Sequence, residues 1–135
     1  MYQLGTSSTT ILPSLNEARY YHGCTIFATT TGDLQHIVTG GYSNRGHFSS
    51  VEISTKTGSG WSSFVKTDNA LPGWRLFHTT TLIGQLLYTV GGRTSSSTYD
   101  TSILVSDDGT TWTTSATSLT TGRRSPTAVA TPDLC

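Results

Sequence analysis

The chain repeats itself at a fixed interval. Residues 36–61, HIVTGGYSNRGHFSSVEISTKTGSGW, and residues 86–112, LLYTVGGRTSSSTYDTSILVSDDGTTW, share one plan. Each opens with an apolar run that stops on a Gly pair, and each closes on Gly-x-x-Trp. Gly40 and Gly91 are 51 positions apart, and so are Trp61 and Trp112. A period near 50 means one supersecondary unit that is copied, with neighbouring copies burying each other's faces.

Punctuation within the period predicts four short strands per copy. In the first copy these are RYYHGCTIFA from Arg19, LQHIVTGG, SSVEIST and WSSFVK, separated by TTTGD, YSNRGHF and KTGSG. The second copy reads RLFHTTTLI, QLLYTVGG, TSILVS and TWTTSA. Short alternating runs between Gly- and Asp-rich turns are the signature of an all-β antiparallel meander. Arg19 and Arg75 are 56 apart, not 51, because TTTGD replaces the tight turn at Gly84 in the first hairpin. Surface turns tolerate such length changes. The units fall at 15–68 and 69–118. Residues 1–14 carry the closing strand of a preceding unit (9–13), and residues 119–135 the opening strand of a following one.

Composition agrees with a β protein. Of 135 residues, 27 are Thr and only 12% are charged, with three Trp, six Tyr and four Phe. β-Branched and aromatic side chains suit a pleated, half-buried surface. Zero net charge gives no bulk attraction to nucleic acid. No apolar stretch reaches the length of a membrane span, and the N-terminus MYQLGTSSTTILPS lacks the basic and apolar regions of a signal peptide. The compartment stays open. Cys24 and Cys135 form no disulfide framework or metal spacing, and Cys24, inside an apolar run, is expected to be buried.

These residues resemble the kelch repeat. The match rests on Arg19-x-x-His22 and Arg75-x-x-His78 at strand a, on LYTVGG with Tyr88 at strand b, and on Trp61 and Trp112 at strand d. Ile37 stands in the Tyr position of the first copy. Arg123 opens a third entry in which Pro126 replaces His. The resemblance implies four-stranded blades of an incomplete β-propeller. Gly40, Gly41, Gly91, Gly92, Trp61 and Trp112 would then be structural repeat residues. The glycines permit positive φ and close backbone approach, and each Trp brings apolar area to the contact between sheets. Propellers have four to eight blades, so two complete copies suit a piece of a longer kelch protein better than a self-closing oligomer. The alternative is homo-oligomeric closure. Asp107-x-Gly109-x-Thr111-Trp112 is similar to an Asp-box, a turn-stabilising motif.

Charge is polarised along the meander. The b–c and d–a connections share one end, and all six arginines fall there. Set against Glu17, Asp68 and Asp100, they leave that end at +3. The other end holds Lys56 against Asp33, Asp107, Asp108 and Asp133, a net −3. Arginine forks suit carboxylates, and in kelch propellers these loops form the partner-binding surface. The expected contacts are Tyr42, Ser43, Asn44, Arg45, Arg93, Thr94 and Ser95, with Arg19 and Arg75 at the d–a turns. Arg19, Arg75 and Arg123 also have a bland reading, as residues that tie loops together. The expected partner is a protein or peptide, polar or acidic.

Catalysis has no visible constellation. The histidines are His22, His36, His47 and His78, without His-x-His or His-Glu-x-x-His spacing. No cofactor motif occurs. The kelch resemblance nonetheless admits a second class, part of a carbohydrate-active or copper-oxidase propeller, in which Tyr20, Tyr21, Tyr42 and Trp74 would stack sugar.

Overall fold

A computed structural model describes residues 11–95 and 97–130. They are all-β, with no helix among them, so none is long and apolar enough to cross a membrane. The strands are β1 (Gly23–Ala28), β2 (Leu34–Thr39), β3 (Tyr42–Ser43), β4 (Gly46–His47), β5 (Val51–Thr57), β6 (Gly60–Trp61), β7 (Val65–Thr67), β8 (Thr79–Ile83), β9 (Leu86–Val90), β10 (Ser102–Ser106) and β11 (Thr113–Ser118).

Two antiparallel meanders result. In the first, β1 pairs β2, β2 pairs β5, and β5 pairs both β6 and β7 along one edge. β6 and β7 are one predicted strand broken at Ser62, whose hydroxyl accepts from Thr55 N at 3.0 Å and donates to Ser63 O at 3.0 Å. The second meander runs β8, β9, β10, β11. Strand a begins later than the sequence suggests in both copies, at Gly23 and Thr79. The residues from each Arg to the following His form a loop instead. The b–c connection of the first copy adds the small β3–β4 hairpin.

Period-two alternation sends one face of each sheet to a shared core. Phe27, Ile37 and Val51 from the first sheet meet Leu87 and Leu104 from the second, with Leu71 and Trp112 completing the cluster. Thr39, Thr80 and Thr89 form a buried hydroxyl chain, with oxygens 2.7 and 3.0 Å apart. The two tryptophans part company here. Trp112 is buried between the sheets, whereas Trp61 lies on the outer face of the first sheet, half-buried beside His36. Cys24 is also on that outer face and is exposed. Gly23, Thr25 and Phe27 take the inward positions of β1, and alternation leaves Cys24 none.

A main-chain ladder crosses from sheet to sheet. Phe77 N donates to Tyr21 O at 3.0 Å, and Ser125 N donates to Phe77 O at 2.8 Å. Each residue stands two after an Arg, and all three have positive φ, at 58°, 57° and 50°. Beside the ladder, Gly41 N donates to Arg75 O at 2.8 Å and Gly92 N to Arg123 O at 2.9 Å. The Gly pairs sit where backbones meet: a Cβ on Gly92 would lie 2.6 Å from Leu76 O, with φ at +88°.

The flanking units are only partly within view. The strand expected over 9–13 has its first two residues outside the described region, and residues 11–13 carry no strand. Residues 123–126 repeat the ladder contacts, but no strand forms through Ala130. In both sheets strand a pairs with the next strand in sequence, and none follows here among the described residues.

Candidate binding surface

The b–c and d–a connections gather at one end of the two sheets, and the buried arginines explain how they hold their shape. The Arg19 side chain donates from Nη1 to Gly40 O at 2.9 Å and from Nη2 to Glu52 Oε1 at 2.6 Å. Both side chains of that ion pair are 0% exposed. Glu52 also accepts from Asn16 N at 2.6 Å and Glu17 N at 3.1 Å. Arg75 repeats the device on the second copy. Its Nη1 donates to Gly91 O and its Nη2 to Asp100 Oδ2 at 3.0 Å and Ser102 Oγ at 2.7 Å. Burial lowers the Arg75 pKa from its ordinary value, and the Asp100 charge opposes that.

Arg19 and Arg75 are therefore buried, with little side-chain surface to offer a partner. Their guanidinium groups point into the protein, so the bland reading is the one that fits them. Ser43, also expected as a contact, is buried, with its Oγ accepting from Arg45 N at 3.1 Å. Tyr42 is half-buried, while Asn44 and Arg45 are exposed at the tip of the β3–β4 hairpin. In the second copy Arg93, Thr94 and Ser95 are half-buried. Arg93 Nε donates to Ser95 O at 2.7 Å, and Thr94 Oγ1 donates to Asp100 Oδ2 at 3.3 Å.

Ion pairing refines the charge pattern. Lys66 Nζ stands 3.3 Å from Glu17 and 3.0 Å from Asp68, so those two acids are matched from the strand. With Glu52 and Asp100 taken by the buried arginines, Arg45, Arg123 and Arg124 have no ion-pair partner among the described residues. All three are exposed. Three of the six arginines of this end are thus displayed at its surface.

A row of aromatic rings ends on one of these charges. Trp74 stacks on His47 with centroids 4.1 Å apart and planes at 29°. The row continues from His47 to Tyr42 at 4.8 Å, to Tyr20 at 5.2 Å, to Tyr21 at 4.7 Å and to Phe77 at 4.1 Å. Arg124 closes it, its guanidinium 4.3 Å above the Phe77 ring. Tyr20 and Tyr21 are about half exposed, at 47% and 50%. Burial, then the Tyr42 and Tyr21 phenols, pushes the Tyr20 hydroxyl above its usual pKa, so it stays neutral. Sequence reasoning named Tyr20, Tyr21, Tyr42 and Trp74 but missed His47, Phe77 and Arg124. Trp74 immediately precedes Arg75, while Ala18 immediately precedes Arg19, so a ring there is not part of the repeat pattern.

Besides a groove lined by Pro72, Gly73 and Thr94, two others of equal size lie between these loops. One, of about 240 Å³, is lined by Asn16, Glu17, Ala18, Ser43, Asn44 and Arg45. The other, also about 240 Å³, is lined by His47, Trp74, Leu76, Arg93 and Ser95. The first is polar, and the second is aromatic with one cation.

The histidines outside the aromatic row are held neutral. Burial, then the charge of Arg75, lowers His78 to about 3. Its Nε2 accepts from Gly23 N at 3.1 Å, between the sheets. Burial likewise lowers His22 and His36 on the outer face. Among the described residues no group of three His, Cys, Asp or Glu side chains is placed to hold a metal ion.

The Asp-box turn is built differently from its sequence reading. Asp108, not Asp107, accepts from Thr110 N at 2.7 Å and Thr111 N at 2.8 Å, while Ser106 Oγ accepts from Gly109 N at 2.8 Å. Burial raises the Asp108 pKa, but the Thr111 and Thr110 amides outweigh it and hold it below the carboxylate range. The turn is structural, and Gly109 packs against Ile37 and Ile53 of the first sheet.

No protein-family model matches the chain, and no curated protein matches it.

Proposed function

We propose that the two sheets are adjacent blades of a kelch-type β-propeller and that their loop end binds a protein or peptide partner of polar or acidic character. The architectural half rests on the ladder. The junction from Tyr21 to Phe77 recurs from Phe77 to Ser125, and a junction that repeats with the same geometry suits radial stacking of sheets. Further blades, from a longer chain or from other copies of this one, would cover the outer faces. Light scattering on the purified chain separates the two: a discrete closed oligomer favours copies, and a monomer favours a longer chain.

The functional half rests on one observation, exposed Arg45, Arg123 and Arg124 beside a continuous row of rings. Buried aromatics and arginines dominate binding energy at protein interfaces, and surface cations select acidic partners and speed encounter. A random-peptide selection on the 135-residue chain should enrich Asp- and Glu-bearing sequences. The double variant Arg45→Glu and Arg124→Glu should lose them by at least tenfold. Enrichment without acidic bias, or affinities unmoved by the double reversal, would sink the reading. The same neutral rings support a second reading, a carbohydrate-binding or carbohydrate-active propeller, because phenol and indole faces stack on sugars. A glycan array in which neutral oligosaccharides bind and peptides do not would favour it.

A further inference from the structure

We infer that the groove between Trp74 and Arg93 is an anchor subsite. It takes one bulky apolar or aromatic side chain of an acidic peptide, laid against the His47–Trp74 stack, with a neighbouring carboxylate of that peptide drawn to Arg93. The inference rests on the peptide-binding reading above and makes it specific.

The repeat supplies a partial comparison. The first groove lies between the d–a connection and the b–c loop of one copy, whereas this one adds His47 from the b–c loop of the preceding copy. Ala18 in the first stands where Trp74 stands in the second, immediately before a buried Arg that makes the same bond to a Gly carbonyl. The fold thus needs no ring at that position. Tyr42 and Arg93 are likewise equivalent, each following a Gly pair and each bridging to the residue after the buried Arg, Tyr20 or Leu76. One copy uses the position for a ring, and the other puts a cation at the groove.

The groove is built as well as lined. Leu76 is buried and forms an apolar floor. Trp74 is fixed against His47 by stacking. The Arg93 guanidinium is tethered at Nε to Ser95 O, and its backbone is bonded both ways to Leu76 at 2.7 and 3.1 Å. Pre-fixed aromatic walls lose little entropy when a ligand arrives, and an indole face offers large apolar area to a single side chain. The cation beside those walls disfavours a basic neighbour and favours an acidic one. A groove of this volume has room for one side chain, not for a folded surface.

The test uses amide and indole NMR shifts of the 135-residue chain with three probes at millimolar concentration: N-acetyl-Phe-Glu-amide, N-acetyl-Phe-Lys-amide and cellobiose. The acidic dipeptide should move the His47, Trp74 and Arg93 resonances and bind at least fivefold more tightly than the lysine one. Trp74→Ala should weaken it tenfold or more. Should that variant lose its native shift dispersion, Arg93→Gln carries the test and should abolish the preference for the acidic dipeptide. No response at His47 and Trp74 to either dipeptide overturns the inference, and cellobiose moving these resonances more than the dipeptides overturns it in favour of sugar. If selected acidic peptides bind while these resonances stay still, the anchor fails but the loop-end reading stands. If the selection also returns nothing, both fail.

Discussion

Arg19 and Arg75 do one job with two different acids. Arg19 meets Glu52, which stands on β5 with both side chains fully buried. Arg75 meets Asp100, which precedes β10 and is 24% exposed. What is common is the guanidinium, its bond to the first glycine of the pair, and its closeness to a hydroxyl, Ser50 or Ser102. What differs is how far the countercharge is from water. The repeat specifies a cation and a place for an anion, and each copy finds the anion locally. The difference should be large in energy. Glu52→Gln leaves a buried guanidinium with only the more distant Glu17, at 3.6 Å, as countercharge and weakens the acceptor of Asn16 and Glu17, and is expected to cost about 3–5 kcal/mol by urea unfolding. Asp100→Asn, closer to solvent and backed by Ser102, is expected to cost about 1–2 kcal/mol. Equal losses would mean that burial is not what separates the copies.

His22 and His78 extend the comparison to pH. Both follow their arginines by three residues, but His78 lies between the sheets and His22 on an uncovered face. A histidine whose folded pKa is depressed contributes fully above its unfolded value of 6.5, and that stability is lost as pH falls. With His78 at about 3, the loss should approach 1.4 kcal/mol per pH unit below 6.5, about 3 kcal/mol by pH 4. His22, also lowered, should add a smaller slope of the same sign. His78→Gln should flatten the pH profile of the melting temperature more than His22→Gln does. Asp100, raised by burial but lowered more strongly by Ser102 and Arg75, lies below the usual carboxylate range. Its contribution is present above pH 4 and is lost only in stronger acid.

Two glycines with the same φ of +88° make a smaller contrast. Gly92→Ala meets Leu76 O and should cost about 2–3 kcal/mol, whereas Gly32→Ala meets nothing within 4 Å and should cost about 1 kcal/mol, the left-handed backbone alone. Thermal melts of both variants check this. Smallest is the hairpin pair. Asp108→Ala removes the acceptor of two amides and should cost about 1 kcal/mol, while Asp107→Ala should stay within about 0.5 kcal/mol. The reverse order in chemical denaturation would restore the sequence alignment of that turn.

The sequence carried the strands that apolar alternation and the Gly pairs punctuate, namely β2, β5, β9 and β10. It misplaced the starts of β1 and β8, because the left-handed turns at Tyr21 and Phe77 have bulky residues where steric rules favour glycine. Glu52 was legible as an outward strand residue but not as the partner of Arg19. Only the path of residues 12–19 across the sheet brings Arg19 to it. Cys24 was misread because an apolar run does not say which of its alternate positions face in. At the site, the hairpin tip and the post-glycine loops were readable from connection logic. The aromatic row was not, since it joins residues from four separate segments.

The ladder has a consequence for how such a chain can change. Its bonds are made by amide and carbonyl groups, and the residues that carry them are Tyr21, Phe77 and Ser125, three side chains with little in common. The joint between one unit and the next therefore asks for a left-handed backbone and main-chain groups at that position, not for a particular side-chain chemistry. A gene segment encoding one unit can be duplicated and still dock, and each duplicate can then drift at its surface without loosening the joint. Ala18 and Trp74, at matching places with opposite chemistry, are what that freedom looks like once it has been used.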